Sequence, residues 1–454
     1  MDTKLDSQLD AYIAAHLNEW ISELSVLCAQ PSVSAQGLGI AECADLVAAM
    51  LRKRGFTAEI LPTDGHPVVY GEREGISDRT LLFYNHYDVQ PPEPLELWTS
   101  PPFEPVLRDG VLYARGVSDD KGHLVCRLAS LDALLAVTGG LPCRVKFLVE
   151  GEEEIGSVSL PPFIAANRQK LAADGCIWEF GGVDPNEVPM QYTGMRGLCY
   201  VELRAKTASL DAHSGLGGSI FPNAAWRLTW ALASLKGPDE QVRIPGFYDN
   251  IVPPTARDLE LLDALPDPAD DYRTRYGLGS FLKEMTGGLE LKRAEVFEPT
   301  CTICGLTAGY QGAGSKTVLP AEARAKVDFR LVPNQTPEEI LGKLRAHLDA
   351  KGFGDIEVVL LGGEAPGRVA PDHPFIRLVV DAARGVYDHE MMVVPITGGS
   401  GPNHAFIEQL GVPIATAGVS HPGSRAHAPD ENMRLDLFEK GIRHTARILA
   451  RFGA

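Results

Sequence analysis

The stretch Thr80–Pro92, TLLFYNHYDVQPP, decides how the chain is read. An apolar run, Leu81-Leu82-Phe83-Tyr84, has the makeup of a buried β-strand and ends in the pair His86-x-Asp88. The prolines that follow stop any helix there. A strand with two such residues at its tip has two readings. It is a capped strand end, or a metal ligand whose imidazole is oriented by the carboxylate two residues on. Ligands of open α/β sheets collect where strands end, so the choice turns on how the other strands finish.

The 454 residues include 42 Lys and Arg against 60 Asp and Glu, a formal charge of -18. That balance argues against nucleic acid and anionic membranes as partners, since both call for basic patches. With 44% hydrophobic and 22% charged residues the composition is that of a soluble globular protein of two or three folding units. The first residues, MDTKLDSQLDAYIAAHLNEW, lack a basic segment followed by an apolar one, so no secretory signal is expected. No stretch approaches the roughly 18 apolar residues of a membrane span. The eight cysteines are scattered, mostly in apolar segments, which fits reduced buried thiols and a cytoplasmic protein. Cys301-Thr-Ile-Cys304 has the spacing of half a zinc site, but no second such pair exists, and both residues read as strand packing.

Outward from Thr80–Pro92, strands alternate with helices. TAEILP, PVVYGE, CRVKFLVEG and GCIWEF read as strands; AECADLVAAMLRKRG, KGHLVCRLASLDALLA and LPPFIAANRQKL read as helices. This alternation implies an α/β domain with a mostly parallel central sheet. From about Met195 the order becomes β-α-β-β-α-β, the split βαβ pattern of a ferredoxin-like α+β domain, with an insertion over about 236–299. After about Arg368 the α/β texture returns. The expected organisation is an α/β domain over 1–195 and 369–454, interrupted by a smaller domain over 196–368.

Four further segments resemble the strand tip at His86. GVSDDKGHL places Asp119 and Asp120 before a helix, where an aspartate also serves as an N-cap. FLVEGEEEIGS runs a buried strand into Glu150, Glu152, Glu153 and Glu154, and CIWEF ends an apolar strand on Glu179. SRAHAPDEN puts His427 between a glycine-bearing loop and the last helix. Singly these are solvated loops. Together His86, Asp119, Glu153, Glu154 and Glu179 fall on one rim of one sheet. A mixed N/O set rich in carboxylates and free of cysteine suits catalytic zinc, manganese or cobalt. On this reading His86 binds a metal and Asp88 orients it.

NHYDVQP, GVSDDKG, EGEEEIGS and AHAPDE resemble the signature of the M20 family of metallopeptidases, which includes dipeptidases, carboxypeptidases, aminoacylases and acetylornithine deacetylases. The resemblance spans nearly the whole chain and implies a zinc-peptidase-like catalytic domain with an inserted lid and dimerisation domain. It further implies a dinuclear site, with His86, Asp119 and Glu179 on one metal and Asp119, Glu154 and His427 on the other. Glu153 becomes the general base, and the Asp119–Asp120 peptide is expected to be cis. In relatives the histidine matching His213, in LDAHSGLGG, reaches the neighbouring subunit's site, which implies a homodimer. Arg330, in VDFRLVPNQ, is expected to grip a substrate carboxylate, with Thr317, His373, Ser400 and Gly399 lining the pocket.

Within the family two features conflict. HYDVQP and IPGFYDNI resemble carnosine-type dipeptidases, whereas a glutamate at position 179 is typical of carboxypeptidases and aminoacylases. The expected activity is hydrolysis of dipeptides or short peptides, with N-acyl-amino-acid deacylation or carboxypeptidase action as the alternative and a silent binding relative as a remote one. The expected cofactors are two divalent ions, zinc first, then manganese or cobalt.

Overall fold

The computed structural model describes residues 3–454. Two compact units emerge: the first takes the chain up to Thr193, Val369–Pro395 and Ala405–Ala454, and the second takes Gly194–Arg368 and Ile396–His404. The stretch Ile396–His404 reads in sequence as part of the returning α/β domain, but its hydrogen bonds hold it in the second unit. Thr397 N donates to Gly194 O at 2.9 Å, and Asn403 Nδ2 to Gly367 O at 2.9 Å.

The first unit is built on a six-stranded sheet in the order Thr57–Leu61, Val68–Arg73, Cys143–Glu150, Ser77–His86, Gly175–Trp178, Ile414–Thr416. The last three pairings are parallel, while Val68–Arg73 runs antiparallel to both neighbours, so the sheet is mixed. Ser77–His86 lies inside it and is buried from Thr80 onward, as a strand covered on both faces must be. Tyr84 stacks on Trp178 with ring centroids 4.2 Å apart, and Phe406 meets both rings edge-on.

The helix Lys121–Thr138 is buried at every residue from Lys121 to Leu131. Its two buried cations donate to main-chain oxygens, although Arg127 Nε and Nη1 are buried and meet no acceptor. Lys121 Nζ donates to Gln30 O at 2.7 Å, and Arg127 Nη2 to Trp178 O at 2.9 Å and Ala417 O at 2.6 Å. Arg127 thereby ties together the ends of two parallel strands. The closing helix Leu435–Phe452 approaches the sheet at Gly441, where a Cβ would stand 2.6 Å from Val419. The helix expected over LPPFIAANRQKL is two, Leu160–Ala166 and Arg168–Leu171. They part at Asn167, whose side chain donates back to Phe163 O and competes with the helical ladder.

The second unit holds a four-stranded antiparallel sheet ordered Thr302–Ala308, Glu322–Leu331, Gly197–Lys206, Glu357–Glu364. Helices Ala224–Leu235 and Pro337–Ala350 bury Leu228 and Leu344 with Val201, Leu203 and Phe329 of the sheet. Asn223 and Thr336 cap these helices through side-chain oxygens. Three helices, Ala256–Ala264, Ala269–Tyr276 and Gly288–Phe297, fill the inserted segment. Among the described residues no helix is long and apolar enough to cross a membrane.

Candidate metal centre

Three neighbouring parallel strands finish on one rim of the first unit. His86 pairs with Glu150 in register, and Gly175–Trp178 runs beside them, so the residues just beyond Glu150 and Trp178 emerge next to His86. The rim thus collects His86, the acidic turn 150–154 and Glu179. The loop before helix Lys121–Thr138 adds Asp119, and the loop before strand Asn432–Arg434 adds His427.

Asp119 stands at the centre of the group. Its Oδ1 lies 3.0 Å from His86 Nε2 and its Oδ2 lies 3.0 Å from His427 Nε2, so one carboxylate faces two imidazoles through separate oxygens. His427 Nε2 also lies 3.0 Å from Glu154 Oε2, and Asp119, Glu154 and His427 each bring a ligand atom within 4.8 Å of the others. The Asp119–Asp120 peptide is cis.

Asp88 does more than the sequence assigned to it. His86 Nδ1 lies 3.0 Å from the main-chain oxygen of Asp88 and 3.4 Å from its carboxylate. That carboxylate, wholly buried, accepts the amides of Glu153 at 3.2 Å and Glu154 at 3.0 Å. The ring is held first by the main chain, because the carboxylate is committed to the acidic turn.

Charge in this pocket is unbalanced. Burial holds the Glu153 and Glu179 carboxyls well above the usual carboxylate range, with neighbouring acids adding to it. Burial opposes a charge on His86, but its bonds to Asp119 and Asp88 outweigh that and hold the imidazole well above the ordinary histidine range. His427 is pushed up to about 10 by its bonds to Asp119 and Glu154. One divalent ion would neutralise two carboxylates and leave imidazole neutral, so a cation would relieve the crowding of acids at this rim. The donor set fits such ions: two imidazole nitrogens, carboxylates and no thiolate. Glu179 Oε2 is buried and meets no hydrogen-bond donor, and a cation is the group that would satisfy it.

With this geometry stands a match of residues 82–451 to the Peptidase family M20/M25/M40. The chain belongs to peptidase family M20. Like that family it is a hydrolase of C–N bonds. It is 36% identical to the M20 family metallo-carboxypeptidase Sso-CP2 of Sulfolobus solfataricus, whose crystal structure superposes with a TM-score of 0.91 over 96% of this chain and 99% of that one. It is 27% identical over 452 residues to the Cys-Gly metallodipeptidase of Schizosaccharomyces pombe, covering 94% of each. The Beta-Ala-His dipeptidase of Rattus norvegicus is 29% identical over 281 residues, 60% of this chain and 55% of that one.

Two residues of this M20 peptidase escaped the sequence reading. Glu431, buried, accepts Arg115 Nη1 and Gly116 N at 2.8 Å each, Ser118 N at 2.9 Å and Asp119 N at 3.0 Å, so it fixes the loop that presents Asp119. Its signal was present, an acid four residues after His427. Arg196, in the second unit, donates to Glu295 O and Glu298 O at 2.6 Å each and to Arg330 O at 3.4 Å. Its amide also donates to Gly399 O at 2.9 Å.

The other expected residues fall in separate groups. Arg330 Nη1 donates to Ser400 Oγ at 2.9 Å and its Nε to Asp328 Oδ2 at 3.2 Å, with Gly399 adjoining. His213 is exposed and pairs in register with Val318, which places Thr317 beside Ser214, whose amide donates to Thr317 O. His213 Nδ1 accepts from Gly215 N at 3.0 Å. His373 caps helix Pro374–Ala382, accepting Phe375 N at 3.2 Å, a local duty.

Proposed function

We propose that the chain hydrolyses the amide bond of dipeptides or short peptides at a dinuclear metal centre. His86, Asp119 and Glu179 would hold one divalent ion and Asp119, Glu154 and His427 the other. The observation that carries this reading is Asp119, whose two oxygens each face a different imidazole at 3.0 Å. Bound there, zinc, manganese or cobalt would supply Lewis-acid activation of water and of the scissile carbonyl.

Glu153 is the base. It takes a proton from the attacking water and delivers it to the departing amine nitrogen, a task open to a carboxylate standing next to the ligand Glu154. Asp88 fixes the main chain under Glu153 and Glu154. Arg330, braced by Asp328 and Ser400, takes the substrate's terminal carboxylate, for which a planar guanidinium is suited. His213, exposed beside the exposed Leu216, Ile220 and Phe221, serves a second copy of the chain, so that the working form is a dimer.

Two relatives, the Cys-Gly and Beta-Ala-His dipeptidases, favour dipeptides. The second reading, release of C-terminal residues from longer peptides or of N-acyl groups, is favoured by Glu179 and by the 36% identity to the Sulfolobus carboxypeptidase. Amine release from matched dipeptides, N-acetyl amino acids and pentapeptides, with zinc or manganese restored after chelation, separates them. Preferred cleavage of dipeptides supports the first reading. Preferred cleavage of either other set replaces it.

A further inference from the structure

We propose that the inserted segment carries a second binding site, for a neutral ring-bearing small molecule, remote in sequence from the metal ligands. A cavity of about 460 Å³ opens there, lined by Tyr272, Tyr276, Leu278, Phe281, Leu282 and Cys301. That volume lies within the roughly 300–1,000 Å³ of small-molecule sites. Tyr276, Leu278 and Leu282 are 61%, 39% and 58% exposed, an apolar group left in water on one wall.

The cations around the cavity are already paired. Lys236 pairs with Glu240, Lys283 and Arg293 share Glu298, and the Tyr272 hydroxyl donates to Glu295 Oε1 at 2.8 Å. An anionic guest would find no free cation, the Glu295 carboxylate is engaged by the Tyr272 hydroxyl, and any charged guest would lose its hydration. A neutral ring meets aromatic and branched walls instead.

The cavity wall is also the support of Arg330. Glu295 and Glu298 accept the two Arg196 amino groups through main-chain oxygens. Thr300, likewise on the wall, donates its amide to Arg330 O at 3.0 Å and accepts Arg330 N on Oγ1 at 3.2 Å. A guest that stiffens this wall acts on the main chain of Arg330 and so on substrate affinity. This regulatory part rests on Arg330 gripping the substrate carboxylate.

Calorimetric titration of the metal-loaded full chain with indole tests the site. Saturable one-to-one binding is expected, weakened at least tenfold by Ala294→Phe, which fills the cavity, and by Leu278→Ser, at a half-exposed position where folding is not at stake. Absence of saturable binding, or equal binding by both variants, overturns the site. Saturating indole is further expected to shift KM for a cleaved dipeptide at least threefold with kcat held; an unmoved KM overturns the coupling. Arg330→Lys without indole separates the two ideas: an unchanged KM in that variant sinks the reading of Arg330 and leaves the binding result standing.

Discussion

The carboxylate of Asp88 reaches Glu154 through that residue's main-chain amide, at 3.0 Å, while Asp88's own carbonyl oxygen holds His86. Asp88→Asn keeps the carbonyl contact but turns an NH₂ group toward one of the two amides it now serves. Metal affinity is expected to fall by roughly 10–100-fold, the usual cost of disturbing a ligand's support. Zinc titration against a competing chelator measures it. Near-native affinity would show that the main-chain oxygen alone is enough.

Glu153→Gln preserves shape and removes the proton acceptor. Turnover should drop by roughly 10²–10⁴-fold with metal content unchanged. Single-turnover kinetics alongside metal analysis checks both halves, and a native rate would take Glu153 out of the base's role.

Removing the metal should destabilise the first unit. An ion present at about 100 times its Kd contributes roughly 2.7 kcal/mol, so chelation is expected to lower the thermal midpoint and added zinc to restore it. A midpoint indifferent to chelator would contradict a cation at Asp119.

Arg330→Lys keeps the charge and loses the planar fork. The contacts to Asp328 and Ser400 cannot both be kept by an ammonium while it holds a carboxylate in two-point fashion. A fall of roughly 10–100-fold in kcat/KM is expected, carried mainly by KM. The same substitution should matter less for an amidated substrate.

His444 predicts an acid limb in stability. Burial and the nearby arginine charges hold its imidazole down to about 4, against the Val379 carbonyl that accepts from it at 2.9 Å. Between about pH 6.5 and 4 the unfolded chain binds a proton that the folded chain refuses, so stability falls as pH falls. The loss is roughly 1.4 kcal/mol per pH unit, about 3 kcal/mol across the window. Urea midpoints at pH 7 and pH 5 should lie closer together in His444→Gln than in the native chain. Equal separation would mean that His444 does not titrate in this range.

The strand ends were legible because an apolar run broken by His86, by Glu150 or by Glu179 leaves few places for a charged side chain to go. Direction was not legible. Val68–Arg73 has the same hydrophobic pattern whether parallel or antiparallel, and it runs against both neighbours. The residues that hold the site in place were hidden for another reason. Glu431 acts on amides more than 300 positions earlier, and Arg196 on carbonyls 99 and 102 positions later. Each is an ordinary charged residue until the register brings its partners to it. Asn167 was visible as a residue, but whether its amide turns back on the helix depends on neighbours that a periodicity does not describe.

Asp119 and His427 touch across 308 positions of chain, and the second unit lies between them in sequence. On the ribosome the sheet spanning Gly197 to Glu364 is complete while Ile414–Thr416, His427 and Glu431 are still unmade. The metal centre is therefore a late product of synthesis. A chain that stalls or is cut before position 405 carries an acidic half-site, with Asp119 held by neither His427 nor Glu431. On the role proposed for Arg330, such a fragment would keep the residue that takes the substrate carboxylate and lose the catalyst, which would make a truncated product a competitor for its own full-length form.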